Sequence, residues 1–266
     1  MLLIKVGGGE FINWEGICQD VASLAQKKQT ILVHGASALR DKISARLSVP
    51  VRTVVSPSGF TSVYTDPEAL DIFLMAYAGL ANKKIVGMMQ KHGVNAIGLS
   101  GVDGKLWRAK RKQNILIKEG GKTKLLRNNF TGRVEDINTD LLNLLLDHGY
   151  LPILCAPAIS YENVIVNTDN DGAIAVMAKA LNCKIMVSLF EAPGLLEDPE
   201  NENTLITHID REKIGDYITF AKDRMKKKIL GAKKAVEGGV EIIYWGDGRV
   251  SSPILNVMNG NGTVIS

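Results

Sequence analysis

Six short apolar segments recur along this chain, and each is followed by glycine or small polar residues. They are LLIKV from Leu2, ILVH from Ile31, NAIGLS from Asn95, LPILCAP from Leu151, KIMVSLF from Lys184 and EIIYW from Glu241. Segments that are apolar almost throughout predict strands buried on both faces, which is typical of parallel sheets. The pattern therefore favours a mostly parallel sheet that is covered by helices on both sides.

Helical patterns separate these strands, at residues 14–27, 67–92, 138–147, 171–181 and 224–237. Strands that alternate with helices predict an α/β fold, a three-layer αβα sandwich around the sheet. With 266 residues, the chain can bury the core of one large domain or of two joined lobes. Ligands of such sheets bind beyond the carboxyl ends of the strands, where the glycine-rich turns of this chain lie.

Other classes of protein are disfavoured by composition. No apolar run approaches the roughly 18 residues that a membrane span needs, and Met1 leads directly into a strand without a signal-peptide pattern. The three cysteines and four histidines are scattered and form no metal-ligand spacing. We therefore expect a cytoplasmic protein with reduced thiols, no membrane association and no metal site of its own.

The first strand carries Lys5 and runs into Gly7, Gly8 and Gly9. An ammonium beside a backbone without side chains suits a phosphate group, although the order of residues is not that of a P-loop. The second strand ends similarly, in His34-Gly35-Ala36. The alternative is a pair of ordinary strand-to-helix turns with an exposed lysine.

A polar island, Asn167-Thr168-Asp169-Asn170-Asp171, separates an apolar strand from the helix that follows. Asp171 is placed to cap that helix, whereas Asn167 and Asp169 have no such structural role and predict a ligand shelf. A second helix opens with Arg224-Met225-Lys226-Lys227-Lys228. Lysine at a helix start opposes the helix dipole, so an anionic ligand nearby is favoured over a merely solvated run.

Positive charge is concentrated between Lys105 and Arg127. Nine of the chain's 32 Lys and Arg residues lie there, together with one of its 28 acidic residues, Glu119. Apolar residues on both sides of Glu119-Gly120-Gly121 predict a β-hairpin that projects from the sheet edge. The strip predicts an acidic partner or, alternatively, a solvated face.

The order of these motifs resembles the amino acid kinase family over essentially the whole chain. The motifs are KVGG, HG, SGFTSVYTD, GLSGVDG, TGRV, NTDND, the turn at Gly194 and RMKKK. Within that family, YTDPEA, NAIGLSGVDG and the basic hairpin before TGRV are similar to kinases of α-aminoadipate or glutamate attached to a small acidic amino-group carrier protein.

The resemblance implies transfer of the γ-phosphoryl group of ATP to a side-chain carboxylate, in lysine and possibly also arginine biosynthesis. Mg²⁺ would arrive with ATP and be held largely by its phosphates. The resemblance also implies a substrate-binding lobe at about residues 1–172, a nucleotide-binding lobe at about 173–266, and a homodimer.

Residue roles follow from the matching motifs. Lys5 and Lys228 would neutralise the transferring phosphoryl group from the substrate and nucleotide sides, and Asp171 would hold both lysines. Backbone N–H groups of the two glycine turns would face the phosphoryl group, at Gly8, Gly35 and Ala36. The acceptor would contact Asn167, Val63 and Tyr64. The nucleotide would lie against Ser188, Gly194, Leu195 and Lys226. The carrier would dock on Lys105, Arg108, Lys110, Arg111, Lys112, Lys122 and Lys124.

Four positions depart from the family pattern. Val63 stands where an arginine for the substrate carboxylate is expected, with Arg52 or Arg133 as possible substitutes. Ala36 replaces a glycine, Glu191 lies in a segment that usually reads Ser-Asp-Val, and Asp223 replaces a glycine before RMKKK. These departures keep four alternatives open: an acetylglutamate kinase that uses the free substrate, a kinase of another small acid or phosphate, a catalytically weak regulatory homologue, and a nucleic-acid-binding protein.

Overall fold

The computed structural model describes residues 1–219, 221 and 223–266, except for the side chains of residues 223 and 224. The strands are β1 Leu2–Val6, β2 Thr30–His34, β3 Thr53–Val55, β4 Thr61–Val63, β5 Ala96–Gly101, β6 Trp107–Lys112, β7 Ile115–Glu119, β8 Lys122–Leu126, β9 Thr131–Ile137, β10 Leu151–Ser160, β11 Ile165–Thr168, β12 Ile185–Phe190, β13 Leu195–Leu196, β14 Leu205–Ile206, β15 His208–Ile209, β16 Ile242–Asp247 and β17 Thr263–Ile265. The helices are α1 Trp14–Ala25, α2 Ser37–Arg46, α3 Pro67–Phe73, α4 Asn82–Lys91, α5 Thr139–Asp147, α6 Asn170–Ala180, α7 Asp223–Glu237 and α8 Pro253–Met258. A π-helical segment, Leu74–Ala81, joins α3 to α4.

The central sheet has 11 strands and is parallel at its centre. Its path runs β11-β9-β6-β10-β2-β1-β12-β16-β17-β15, and β5 pairs with β10. Strands β5, β10, β2, β1, β12 and β16 pair in parallel and correspond to the six apolar segments. The antiparallel pairs lie toward the ends of the sheet.

Alternate residues of β1 belong to two separate hydrophobic cores. Leu3 packs with residues of α5, α6 and α7, whereas Leu2 and Ile4 pack with residues of α1, α4 and α8. A sheet with an apolar layer on each face is the three-layer αβα sandwich that the sequence predicts, and this prediction is confirmed. No helix of the described residues is long and apolar enough to cross a membrane.

The cationic strip is divided between two sheets. Its second half forms the expected hairpin, β7 and β8, which joins β3 and β4 in a separate four-stranded antiparallel sheet. Its first half is β6, an internal strand of the central sheet between β9 and β10. The expectation of one hairpin at the sheet edge is wrong for this half, because Trp107 and Ala109 are fully buried and hold β6 in the core.

Two helices had no sequence signal. Only Arg40 and Ser44 are buried in α2, so its sequence shows no apolar stripe. The six-residue helix α8 is too short to give a helical period. It begins at Pro253, and the Asp20 carboxylate accepts hydrogen bonds from the N–H groups of Ile254 and Leu255, at 2.8 and 3.2 Å. Tertiary contacts therefore supply what local pattern does not.

Asn129 ties the small sheet to the central one. It is fully buried, and its amide donates to the Lys112 carbonyl at 2.7 Å and to the Thr131 hydroxyl at 2.5 Å. Its oxygen accepts from the Thr65 N–H at 3.4 Å. The residue thereby holds the end of β6, the start of β9 and the chain after β4 in one arrangement.

We predict that Asn129→Ala lowers the free energy of unfolding by about 1–3 kcal/mol, because buried main-chain groups lose their partners. Urea denaturation monitored by circular dichroism measures the change. Asn114→Ala, in an exposed position close by in the sequence, is the matched control and should change stability by less than about 0.5 kcal/mol. Equal stability of the two variants would contradict this role of Asn129.

Candidate active site

Lys5 lies on β1 with its side chain buried among the central strands. The register places it beside Val33 of β2 and Ser188 of β12. Its side chain is only 6% exposed. Because β1 is flanked by parallel strands on both sides, Lys5 reaches solvent only near the carboxyl end of the sheet, where ligands of this architecture bind. A lysine is not buried here by chance, since its charge must be paired.

The partner of Lys5 is Asp171, which also faces Lys228. The Lys5 Nζ donates to the Asp171 Oδ1 at 2.7 Å, and the Lys228 Nζ lies 3.8 Å from the same oxygen. The three side chains are 6%, 17% and 12% exposed in the order Lys5, Asp171, Lys228. Residues from β1, α6 and α7 therefore meet in one ion cluster, as the sequence predicts for these three positions.

Proton equilibria in this cluster are strongly perturbed. Burial alone would raise the pKa of Asp171, but Lys228 and Lys5 outweigh it and lower that pKa to about 2. Burial lowers the pKa of Lys228, and the neighbouring Lys5 ammonium lowers it further, to about 7, against the attraction of Asp171. One carboxylate thus stabilises the charge of Lys5 more than that of Lys228, because Lys5 donates the shorter hydrogen bond.

Aromatic and glycine contacts position Lys228. Its ammonium lies 4.7 Å from the centre of the Phe190 ring, a cation–π contact. One turn further along α7, a Cβ atom at Gly231 would lie 3.0 Å from the Asp171 carbonyl oxygen. Glycine at this position therefore lets α7 approach the first turn of α6 closely enough for Lys228 to face Asp171.

The two glycine turns pack directly against each other. A Cβ atom at Gly8 would lie 2.4 Å from the nitrogen atoms of Ala36 and Ser37, and one at Gly35 would lie 2.7 Å from the Gly8 nitrogen. The Gly35 N–H donates to the Val6 carbonyl at 2.9 Å, so this donor belongs to the sheet and does not face a phosphate as expected. Glycine at 35 serves close approach instead, and Gly8 is the loop residue nearest to the Ala36 turn.

Glu191, which departs from the family pattern, lies on the first glycine loop. Its carboxylate accepts a hydrogen bond from the Phe11 N–H at 2.5 Å. It fills the space beside Gly9, where a Cβ atom would lie 2.1 Å from the Glu191 carboxyl carbon. The acid therefore holds the loop that follows Lys5. The Asp223 side chain, the other acidic departure, lies outside the described residues.

Asp169, not Asp171, caps helix α6. The Asp169 Oδ2 accepts from the Gly172 N–H at 2.9 Å, whereas Asp171 lies in the first turn and points to the lysines. The expectation that Asp171 caps the helix is therefore wrong, because a cap precedes the helix by one residue and its side chain cannot also reach across to β1. Asn170 donates to the His34 carbonyl at 2.9 Å and fixes α6 to the end of β2.

The predicted acceptor residues converge on the chain around β4. Asn167 donates to the Thr65 hydroxyl at 3.2 Å, and the Tyr64 hydroxyl donates to the Arg127 carbonyl at 2.8 Å. Val63 is half-buried and packs against the core. Asn167 and the segment Val63–Tyr64–Thr65 are thus brought together, although Asn167 is 102 residues away from Thr65.

Neither of the two arginines proposed to replace a cation at Val63 is unengaged. Arg52 lies 5.3 Å from the centre of the Tyr64 ring and 3.6 Å from the Glu119 carboxylate. Arg133 pairs with Glu135 at 2.5 Å. Each is therefore committed to a contact within its own sheet.

The predicted nucleotide residues differ in their surroundings. Ser188 is buried beside Lys5 on β12. Gly194 packs against Thr263, whose hydroxyl accepts the Leu195 N–H at 2.8 Å, and the Leu195 side chain is part of the core. Lys226 is half-buried on α7. Leu195 thus contributes to the site through the course of its backbone, because its side chain points into the protein.

Comparison with known proteins decides the family. A family model described as the amino acid kinase family matches residues 1–244. The chain belongs to the amino acid kinase family. The kinase is 44% identical over its whole length to the LysW-aminoadipate kinase of Thermus thermophilus, of which 100% is covered. It is 45% identical to the LysW-aminoadipate kinase of Deinococcus radiodurans, with 100% of this chain and 91% of that protein covered.

Solved structures share the fold at low sequence identity. An N-acetylglutamate synthase from Neisseria gonorrhoeae superposes with a TM-score of 0.79 and 22% identity, covering 100% of this chain and 59% of that one. The carbamate kinase of Giardia gives a TM-score of 0.69 and 15% identity, with 99% and 97% covered. The kinase therefore has the fold of these proteins and is a phosphotransferase by family.

Sequence reasoning missed several residues of the kinase site. Phe190, Gly231 and Asn170 position the ion cluster, and Lys227 donates to the Thr61 carbonyl at 2.6 Å. Glycine in the middle of a helix, as at Gly231, was a signal that close packing could have explained. The other contacts join residues far apart in the chain and leave no local pattern.

We predict that the kinase takes up close to one proton when it binds ATP with Mg²⁺ at pH 8. At about one unit above its pKa, Lys228 is mostly neutral, and a nearby triphosphate favours the charged form. The affinity for ATP should accordingly fall as the pH rises through 7. Calorimetric titrations in buffers of different ionisation enthalpy measure the uptake.

Lys228→Arg is the control for this measurement, because a guanidinium stays charged throughout the range. Its ATP binding should release or take up far less than one proton. Proton uptake of the same size in this variant would assign the effect to another group.

Proposed function

We propose that this kinase transfers the γ-phosphoryl group of ATP to a side-chain carboxylate and forms an acyl phosphate. The observation that carries the proposal is the buried cluster of Lys5, Asp171 and Lys228 beside the two glycine turns. Two ammonium groups in a low-dielectric site suit a reaction whose difficulty is electrostatic. A carboxylate acceptor is already an anion at neutral pH, so no general base is needed.

Catalysis then consists of positioning and charge neutralisation. Lys5 faces the phosphoryl group from the acceptor side and Lys228 from the nucleotide side. Asp171 keeps the two ammonium groups apart from other anions and within reach of one site, since both lie within 4 Å of one oxygen. Gly8 and Ala36 bring their backbone close to the same place.

Mg²⁺ fits this site as a companion of ATP. Asp171 is engaged by two lysines and Asp169 by the helix cap, and no group of three His, Cys, Asp or Glu side chains among the described residues could hold an ion. Phosphate oxygens of ATP would therefore supply most of its ligands, and its charge would offset that of the triphosphate.

The acceptor is α-aminoadipate, or glutamate, attached to an acidic amino-group carrier protein, and the pathway is lysine biosynthesis. The relatives at 44% and 45% identity are named as kinases of LysW-aminoadipate. A relative from Saccharolobus solfataricus, 33% identical over 100% of this chain and 99% of its own length, is named for both aminoadipate and glutamate. Aminoadipate is therefore the first acceptor to test, and a role in arginine biosynthesis stays a prediction.

A cationic surface supports a carrier-bound acceptor. Lys105, Lys110, Lys112 and Lys122 are exposed, and none forms a salt bridge within the described part of the chain. Three other predicted docking residues have structural contacts: Arg108 lies 5.1 Å from the Tyr161 ring centre, Arg111 lies 4.1 Å from the Phe130 ring centre, and Lys124 pairs with Glu119 at 2.6 Å. The four exposed lysines are the docking residues we favour.

The lobes at about 1–172 and 173–266, the homodimer and the cytoplasmic location stay predictions in this proposal. The ion cluster is consistent with two lobes, since Lys5 belongs to the first and Lys228 to the second.

Acyl-phosphate formation is tested by trapping with hydroxylamine. With ATP and Mg²⁺, hydroxamate should form on carrier-bound aminoadipate, and Lys5→Met should lower kcat by at least about 100-fold while the protein stays folded. Turnover only with free acetylglutamate would replace the carrier proposal by an acetylglutamate kinase. No turnover with any carboxylate acceptor would favour a regulatory homologue.

Docking is tested by reversing charge on β6. Lys110→Glu with Lys112→Glu should raise KM for the carrier-bound acceptor by about 10-fold or more and leave KM for ATP unchanged, because rim charges steer an acidic partner. Lys27→Glu with Lys28→Glu, an equal reversal at exposed positions after α1, is the control. Equal effects of the two double variants would contradict docking at β6.

A further inference from the structure

Lys227 is a cation of the site to which no role has been assigned so far. It precedes Lys228 in α7, and its Nζ donates to the Thr61 carbonyl at 2.6 Å in a partly buried position. The contact joins residues 166 apart in the chain and links the helix of Lys228 to strand β4. The ammonium of a surface lysine is ordinarily left in water, so a lysine drawn to a single carbonyl calls for an explanation.

The charge of Lys227 is not paired with a carboxylate. Within the described residues, the salt bridges of this cluster are those of Lys5 and Lys228 with Asp171. Lys227 nevertheless contributes to the lowered pKa of Asp171, which places its charge near the cluster without direct contact. The positive charges of Lys5 and Lys228 are matched by Asp171 and Asp169. Lys227 therefore gives the site its net positive charge.

The position of Lys227 is on the acceptor side. Thr61 and Val63 are alternate residues of β4 and share one face of the small sheet. The strand continues into Tyr64 and Thr65, and the Thr65 hydroxyl accepts the hydrogen bond of Asn167. An ammonium held at Thr61 thus lies beside the strand that forms this wall of the site. The neighbouring Val63 contributes no charge.

We propose that Lys227 is a substrate-binding residue, and that its ammonium binds the carboxylate of the acceptor that does not receive the phosphoryl group. This inference rests on the proposed function, since it requires an acceptor with two carboxylates. An ammonium has three N–H donors, and the Thr61 carbonyl uses one, which leaves two for a ligand. The bond to Thr61 holds the ammonium in place before the acceptor arrives, so little conformational freedom is lost on binding.

The test pairs enzyme variants with acceptor variants. Acceptors are carrier-bound aminoadipate and the same molecule with its non-reacting carboxylate converted to a carboxamide. Lys227→Met should raise KM for the natural acceptor by about 10- to 100-fold and leave kcat and KM for ATP within about 2-fold. With the carboxamide acceptor, Lys227→Met and the unchanged enzyme should differ by less than about 2-fold, because the interaction is already absent.

Two further variants separate this role from a structural one. Lys227→Arg keeps the charge and should retain most of the affinity for the natural acceptor. Lys234→Met, on an exposed position of the same helix, makes the same change in charge and should leave every constant unchanged. Thermal unfolding of Lys227→Met shows whether the strap to Thr61 is needed for folding.

Three outcomes would overturn the inference: an unchanged KM in Lys227→Met, an equal effect of this variant on both acceptors, or a loss of affinity for ATP that matches the loss for the acceptor. If the unchanged enzyme phosphorylates no carboxylate acceptor, the proposed function itself fails. That result is distinct, since it appears before any variant is made.

Discussion

The architecture of this site depends on one buried carboxylate that serves two ammonium groups. Asp171 draws Lys5 from the first strand and Lys228 from the helix near the end of the chain to a single oxygen. Removing such charges from water is costly, so they can remain buried only while all three are in place. The packing of β1, α6 and α7 is therefore coupled to the site's ability to bind anions.

Much of the surrounding structure serves to keep that cluster in register. Glycine at 231 lets α7 approach the start of α6, and glycines at 8 and 35 let two loops touch where side chains would collide. Phe190 covers the ammonium of Lys228, and Glu191 beside it holds the loop that follows Lys5. Neighbouring residues of one strand end thus act on the two sides of the site. The acid that departs from the family pattern has a structural place here.

The fold and the ion cluster could be predicted from the sequence to different depths. The six apolar segments predicted the parallel strands, because burial on both faces leaves a local signature. Lys5, Asp171 and Lys228 were found through resemblance to a family, and the structure brings them together. The cap of α6 was assigned to the wrong aspartate, and the Gly35 N–H was assigned to a phosphate although the sheet uses it. Both errors concern where one group points, which spacing alone does not fix.

The sequence by itself determined the class of fold, the glycine turns and the presence of a concentrated positive charge, since periodicity and composition are local properties. Only the tertiary structure decided how that charge is distributed. It placed β6 inside the central sheet, tied Arg108 and Arg111 to aromatic rings, and left a few lysines exposed. It also brought Lys227 to Thr61 across 166 residues. Such contacts depend on which elements pack together, and hydrogen bonds between distant residues carry no pattern along the chain.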